Sequence, residues 1–124
     1  MIDEAYEVIA STKTATLATI NEDGAPYAVP VTYSYSEGRF VWVSAPDTVH
    51  SANISRDDRV SFCIVEAVEG KARAVYINTR ISFIGETIFD EKWKTELTKY
   101  ELELGTLDTK KSIPGRFYFQ GENA

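Results

Sequence analysis

Residues 14–35, which read TATLATINEDGAPYAVPVTYSY, decide the fold of this chain. The first seven are rich in β-branched side chains and alternate poorly, which predicts a strand covered on both faces. The Asp23-Gly24 pair then predicts a tight turn. Residues 25–35 alternate tyrosine and valine with smaller side chains, so the two sets face opposite sides of a second strand. Because Pro30 cannot donate a ladder hydrogen bond, this strand is expected to be bulged or to lie at a sheet edge, where a ligand can reach the backbone.

Turn signals and apolar runs continue the strand pattern along the chain. A second turn at residues 36–39 leads to residues 40–45, which are apolar almost throughout and are expected to form a central strand. Further strands are expected over residues 59–66, 72–89 and 115–120. The longest of these is expected to be one bent strand or two, with Gly85 as a bulge or corner. The pattern predicts a mainly β fold, an antiparallel barrel with a few appended helices, and leaves the strand order open.

Three helices are predicted where apolar residues recur every three or four positions. They begin at residue 2, at residue 48 and after Asp90, which is placed as an N-cap. The third helix has the clearest stripe and is expected to end at Gly105. That stripe consists of Trp93, Leu97, Tyr100 and Leu104.

The composition is that of one globular domain spanning residues 1–124. Thirteen basic against nineteen acidic residues give a net charge of −6, and the basic residues are dispersed, so nucleic acid is not an expected partner. The single cysteine, Cys63, leaves no intrachain disulfide and no cysteine pair for a metal. The N-terminus is acidic and no run of 18 apolar residues occurs, so we expect a cytoplasmic protein without a membrane span.

Hydroxyl and imidazole side chains gather where the strand over residues 40–45 gives way to the second helix. These residues are Ser44, Thr48, His50 and Ser51. Free backbone amides at a helix start attract anions, and hydroxyls with an imidazole can complete a phosphate shell. The alternative is that Thr48 is only a helix cap and His50 a surface residue. Arg73 and Arg80 lie on a predicted strand, where either could face a ligand or form an ordinary ion pair.

Other chemistries lack their motifs. His50 is the only histidine and no Gly-x-Ser-x-Gly elbow occurs, so a hydrolase is not indicated. No glycine-rich motif of a Rossmann domain or P-loop is present. Cys63 lies between Phe62 and Ile64 in an apolar strand, which is typical of a core residue rather than of a nucleophile. We therefore assign no catalytic side chain and no metal ligand.

Residues 15–31 resemble the opening of the pyridoxamine 5′-phosphate oxidase-like, FMN-binding split-barrel family. The shared pattern is a Leu-Ala-Thr strand at residues 17–19, an acidic-Gly turn, a proline two residues after the glycine, and a second strand interrupted by Pro30. Residues 38–45 and 53–62 continue the likeness, the latter through the Asn53-Ile54 pair and the basic and acidic residues that follow it. The order and spacing of these fragments carry the resemblance.

The resemblance implies an antiparallel split barrel that binds FMN and forms a homodimer with two flavin sites at the subunit interface. It implies that the isoalloxazine ring lies along Pro30, Val31 and Thr32, and that the phosphate is held at Ser44, Ala45, Thr48, His50 and Ser51. Relatives commonly carry lysine where this chain has His50. Because a neutral imidazole is a weaker anion partner than an ammonium, the phosphate affinity is expected to be lower or to rely on Arg80.

The activity implied is that of an FMN-dependent oxidoreductase acting on a small molecule, similar to general-stress and nitroimidazole-resistance members. FMN would carry the redox chemistry, so no acid or base from the chain is required. Two alternatives stay open. One is a non-catalytic binding protein for FMN, haem or a deazaflavin on the same fold, and the other is a barrel that binds no cofactor and acts through protein contacts.

Overall fold

The computed structural model describes residues 2–122 and 124 of the chain. The helices and strands within them, in chain order, are α1 (Ile2–Ser11), β1 (Thr14–Ile20), β2 (Pro26–Thr32), β3 (Ser34–Ser36), β4 (Arg39–Ser44), α2 (Val49–Arg56), β5 (Arg59–Val68), β6 (Lys71–Arg80), β7 (Phe83–Ile84), β8 (Ile88–Asp90), β9 (Thr95–Glu103), β10 (Thr106–Leu107) and β11 (Arg116–Gln120). Neither of these helices has both the length and the apolar content needed to cross a lipid bilayer.

The strands form two sheets that do not close on each other. One has the order β10-β11-β6-β5-β1-β2, and the other has the order β3-β4-β9-β7 with β8 added along β9. The described strands pair antiparallel except for β6 and β11, which run parallel and so depart from the all-antiparallel prediction. The fold is a mainly β split barrel with appended helices, which confirms the predicted fold class.

The β1–β2 hairpin forms as predicted. Gly24 adopts a φ of +87°, which the turn requires and glycine tolerates, and the Asp23 carboxylate accepts a hydrogen bond of 3.0 Å from the Ala25 N–H. β2 is an edge strand of its sheet, so Pro30 lies where a missing N–H is tolerated. The predicted burial of β1 on both faces is wrong, because Thr14 and Thr16 are exposed on the outer face of the sheet and only the opposite face, which includes Leu17, is buried.

Residues 25–35 form two strands rather than the single predicted one. The chain bends at Tyr33, so β2 joins the six-stranded sheet and β3 joins the other. The Tyr33 N–H donates to the Lys13 carbonyl at 2.8 Å, and its buried hydroxyl donates to the Ile9 carbonyl at 2.8 Å. Tyr33 therefore fixes the place where the two sheets separate. The stretch 72–89 is similarly divided, into β6, β7 and the start of β8.

The helix predicted after Asp90 is wrong, because this segment is the β8–β9 hairpin. Asp90 caps a turn instead, with its Oδ1 accepting a hydrogen bond of 2.8 Å from the Trp93 N–H. Trp93, the first member of the supposed stripe, is 68% exposed at the turn. The buried side chains that follow alternate with a period of two, which is the period of a strand. They are Thr98, Tyr100, Leu102 and Leu104.

Aromatic side chains from both sheets fill the core. Phe62 is fully buried, and its ring centroid lies 5.1 Å from that of Phe40 and 5.7 Å from that of Trp42. β11 adds the buried Phe117 and Phe119. α1 packs on this core through Ala5, Val8 and Ile9. α2 bridges from β4 to β5 and contacts β1 and β2.

Candidate functional site

The candidate site forms where β4 ends and α2 begins. Ser44 is the last residue of β4, and Thr48 is the N-cap of α2 with extended backbone angles. The Thr48 Oγ1 accepts a hydrogen bond of 3.3 Å from the Ser51 N–H, which satisfies one of the free amides of the first turn. The cap assignment for Thr48 is thus confirmed. No acidic residue occupies the first turn of the helix.

Four side chains meet at this point, and we call them the hydroxyl–imidazole cluster: Ser44, Thr48, His50 and Ser51. The His50 Nε2 lies 2.9 Å from Ser44 Oγ and 3.4 Å from Thr48 Oγ1. Thr48 Oγ1 donates to Ser51 Oγ at 2.8 Å, and Ser51 Oγ in turn donates to the Ala45 carbonyl at 3.1 Å. The structure therefore brings together all five residues expected near the phosphate.

His50 is half-buried rather than a surface residue. Burial lowers the pKa of its imidazole from the ordinary 6.5, because the charged form loses hydration. Its hydrogen-bonding neighbours Ser44 and Thr48 are uncharged and do not offset this loss. His50 is therefore a neutral hydrogen-bonding group at neutral pH, and the cluster presents dipoles rather than a fixed charge.

Thr98, which the sequence did not mark as a site residue, lies beside the cluster. Thr98 pairs with Ser44 across β4 and β9, and directly opposed side chains in a sheet are close neighbours on the same face. Thr98 is buried, and its hydroxyl lies 2.6 Å from that of Thr87. The signal that could have identified Thr98 was its place in an alternating run, but that run was interpreted as a helix.

The three residues expected along the isoalloxazine lie on the edge strand β2. Val31 is buried in the core, whereas Pro30 and Thr32 are exposed on the outer face of the sheet. β1 pairs with one side of β2, and the other side has no strand partner within the described residues. The backbone groups along this side are consequently available at the seam between the two sheets. No hydrogen bond given by the described residues joins these three residues to the hydroxyl–imidazole cluster.

Arg80 lies apart from the cluster. Its Nη1 is 2.7 Å from Asp58 Oδ1, and Asp58 follows the C-terminal end of α2, whereas Thr48 caps the N-terminal end. A helix of eight residues is about 12 Å long, so the two groups do not meet within one chain. Arg80 instead lines a cleft of about 730 Å³ together with Arg39 and several acidic side chains. Arg73 forms ion pairs of 2.8 Å with both Glu7 and Glu66, which is the alternative to facing a ligand.

The fold, with an open seam beside a polar helix start, is that of the split-barrel class. A family model described as pyridoxamine 5′-phosphate oxidase matches residues 1–119. The chain therefore belongs to the pyridoxamine 5′-phosphate oxidase family, as its sequence motifs predicted.

Solved structures share this fold at low sequence identity. An FAD-binding protein from Mesorhizobium loti is 20% identical, with 83% of this chain and 87% of that chain covered and a TM-score of 0.65. A conserved hypothetical protein from Mycobacterium tuberculosis is 20% identical, with 82% and 79% covered and a TM-score of 0.69. A heme binding protein from Mycobacterium smegmatis is 23% identical, with 80% and 49% covered and a TM-score of 0.62. A search of curated proteins finds no match to this sequence.

Proposed function

We propose that this protein binds FMN at the seam between its sheets and uses it as an oxidoreductase on a small molecule. The observation that carries the proposal is the hydroxyl–imidazole cluster at the start of α2, in a chain whose neighbouring strand β2 has an open edge. Three hydroxyls and an imidazole converge there within hydrogen-bonding distance of one another. This set suits a phosphate group, because Ser44 and His50 can donate to a phosphate oxygen in place of the hydrogen bond between them, and no carboxylate lies in the first turn of α2.

The remaining contacts would come from the backbone. The unpaired side of β2 offers N–H and C=O groups near Val31 and Thr32, and such groups match the polar edge of a flavin ring. Pro30 offers no N–H, so only its carbonyl would take part. Bound FMN would supply hydride or electron transfer, while the chain would hold the phosphate and orient the ring.

The preference between FMN and riboflavin tests the phosphate assignment. Both molecules carry the same ring, and only FMN carries the phosphate that the cluster would hold. We expect titration by flavin fluorescence to give tighter binding of FMN than of riboflavin. Equal affinities would overturn the assignment of the phosphate to α2.

We also propose that the protein is a homodimer joined through the outer face of the six-stranded sheet. This face has few charged side chains in a chain whose net charge is −6, so two copies could approach there without repulsion. One row across it, from β2 to β11, runs Pro30, Thr16, Cys63, Tyr76 and Tyr118. The last two rings stack at 4.6 Å.

A charge placed on this face tests the dimer. Val65 points outward from β5 and is 52% exposed, so Val65→Glu should leave the subunit folded but separate the copies. Light scattering should give twice 13.9 kDa for the wild type and 13.9 kDa for this variant. The control Ile113→Glu changes a similarly exposed aliphatic residue in a loop and should remain dimeric. A monomeric wild type at micromolar concentration with FMN present would refute the dimer.

A haem-binding function is the second candidate. It is favoured by the heme binding protein that shares this fold. The absorption spectrum of the purified protein separates the candidates, since a flavin and a haem have distinct visible bands. Haem bands together with no response to added FMN would replace the flavin proposal.

A further inference from the structure

α2 is held on the barrel mainly by polar contacts. Its buried residues are Ser51, Asn53 and Ile54, so Ile54 supplies its one large buried apolar side chain. Val49, at the other end, is half exposed. A helix that buries so little apolar surface gains little positional restraint from packing, so its hydrogen bonds set where it lies.

Asn53 makes the central polar contact. The side chain is 3% exposed, and its Nδ2 donates to Thr19 Oγ1 at 3.0 Å and to Asn21 Oδ1 at 2.9 Å. Its Oδ1 accepts a hydrogen bond of 3.0 Å from Arg56 Nη2. Thr19 is a buried residue of β1, and Asn21 opens the β1–β2 turn. The amide of Asn53 therefore ties α2 to the hairpin that carries the proposed ring-binding strand.

We propose that Asn53 is a positioning residue for the hydroxyl–imidazole cluster. The cluster joins two elements, because His50 belongs to α2 and Ser44 belongs to β4. The 2.9 Å distance between His50 Nε2 and Ser44 Oγ requires α2 to keep one distance from the sheet and one rotation about its own axis. Asn53 is one helical turn beyond His50, so its bonds to Thr19 and Asn21 fix that distance close to the cluster. The effect of this role on ligand binding rests on the proposed function.

A matched pair of substitutions at Thr19 tests the role from the strand side. Thr19→Val keeps the shape but removes the oxygen that accepts from Asn53, whereas Thr19→Ser keeps the oxygen. We expect Thr19→Val to lower the preference for FMN over riboflavin by about tenfold, as expected for misaligned hydrogen bonds to a charged group. Thr19→Ser should retain the wild-type preference. If Thr19→Val does not fold, Asn21→Ala removes the other acceptor at a less buried position and should lower the preference in the same direction.

A second measurement needs no flavin. His50 is the only histidine in the chain, so its ring signals in an NMR titration are unambiguous. Burial lowers the pKa of His50. If α2 shifts in Thr19→Val and Asn21→Ala, His50 becomes more exposed and its pKa should return toward 6.5. Arg73→Met breaks ion pairs to Glu7 of α1 and Glu66 of β5, which involve no residue of α2, and should lower stability without moving the pKa.

The two measurements separate the proposals. A wild type that binds FMN and riboflavin equally would overturn the proposed function, while the NMR titration would still decide the role of Asn53. If Thr19→Val and Asn21→Ala keep both the wild-type ligand preference and the wild-type pKa of His50, Asn53 does not position the cluster. If Arg73→Met changes the pKa of His50 as much as Thr19→Val and Asn21→Ala do, Asn53 has only a general stabilising role.

Discussion

Replacing His50 should change how the protein binds an anionic ligand, because this side chain is the only titratable member of the cluster. Histidine at this position is neutral at pH 8, since burial holds its pKa below 6.5. His50→Lys supplies a permanent charge at the second residue of α2. We expect the lysine variant to bind FMN more tightly than the wild type at pH 8.

The magnitude follows from two opposing effects. A hydrogen bond to a charged group contributes about 1.5–3 kcal/mol; the bond from a neutral imidazole to the phosphate lies toward the lower end of this range and that from an ammonium toward the upper end, so the gain on the phosphate is about 1 kcal/mol, or roughly fivefold in affinity. A cation near the N-terminus of a helix costs about 0.3–1 kcal/mol in the free protein. His50→Lys should therefore lower the free energy of unfolding slightly without ligand, and FMN should offset this loss.

The wild type should respond to pH in a definite direction. A bound phosphate stabilises the imidazolium, so the pKa of His50 is higher in the complex than in the free protein. Affinity for FMN should therefore rise as the pH falls through the pKa of the complex, and should stop rising below the pKa of the free protein. Protonation of the phosphate, whose second pKa is about 6, blunts the rise.

Fluorescence titrations between pH 5.5 and 8 check both expectations, with riboflavin as the ligand that lacks phosphate. His50→Gln is the matched control, because it keeps a neutral donor and should bind like the wild type at pH 8 with a weaker response to pH. His50→Ala should bind less tightly throughout. If the histidine, lysine, glutamine and alanine proteins bind FMN alike across this range, the side chain does not face the phosphate and the reasoning is refuted.

Three further predictions concern stability. Phe62→Ala should lower the free energy of unfolding in urea by about 3–5 kcal/mol, because a fully buried ring is lost, and a loss under about 1 kcal/mol would contradict this packing. Gly121→Ala should cost about 1–3 kcal/mol, since the added Cβ would collide with the buried Thr79 side chain, and an unchanged urea midpoint would argue against the collision. Hydrogen bonds from Arg59 lower the pKa of Asp57 to about 2 from 3.8, so this stabilisation is present above pH 3.8 and is lost as the pH falls toward 2. Asp57→Asn should flatten acid unfolding in that window, and an acid limb like that of the wild type would exclude the effect.

The β1–β2 hairpin could be predicted because its information is local. The Asp23-Gly24 turn, the alternation that follows and the position of Pro30 all lie within one short stretch. Their physical requirements, a positive φ and a missing N–H at an edge, are satisfied by the residues themselves. The bend at Tyr33 was not predicted, because it depends on hydrogen bonds to α1 and to the segment after it.

The β8–β9 hairpin could not be separated from a helix by spacing alone. Tyr100 and Leu104 are four residues apart, which fits both a helical turn and two steps along one face of a strand. The deciding facts are non-local: β9 pairs with the distant β4, and Thr98 is buried against Thr87. Lys94 adopts a positive φ of 55° at the turn, and this could not be predicted because lysine does not favour that conformation.

The candidate site was predicted as far as it is local. Ser44 and His50 are six residues apart in the chain, and the structure brings their side chains into contact. The place of Thr98 beside Ser44 was missed, because Thr98 lies on another strand and its run was interpreted as a helix. The separation of Arg80 from the cluster depends on which end of α2 faces β6, and no local pattern carries that information.

The parallel pairing of β11 with β6 means that the core of this barrel is completed only after β7 to β10 have been made. Antiparallel neighbours joined by short turns can pair as they leave the ribosome, whereas β11 must wait until β7 to β10 have been made. β11 then delivers Phe117 and Phe119 to the interior. Until that moment β6 presents an unpaired edge beside an incompletely filled core, so the nascent chain passes through a stage at which chaperones or a second nascent copy could capture it.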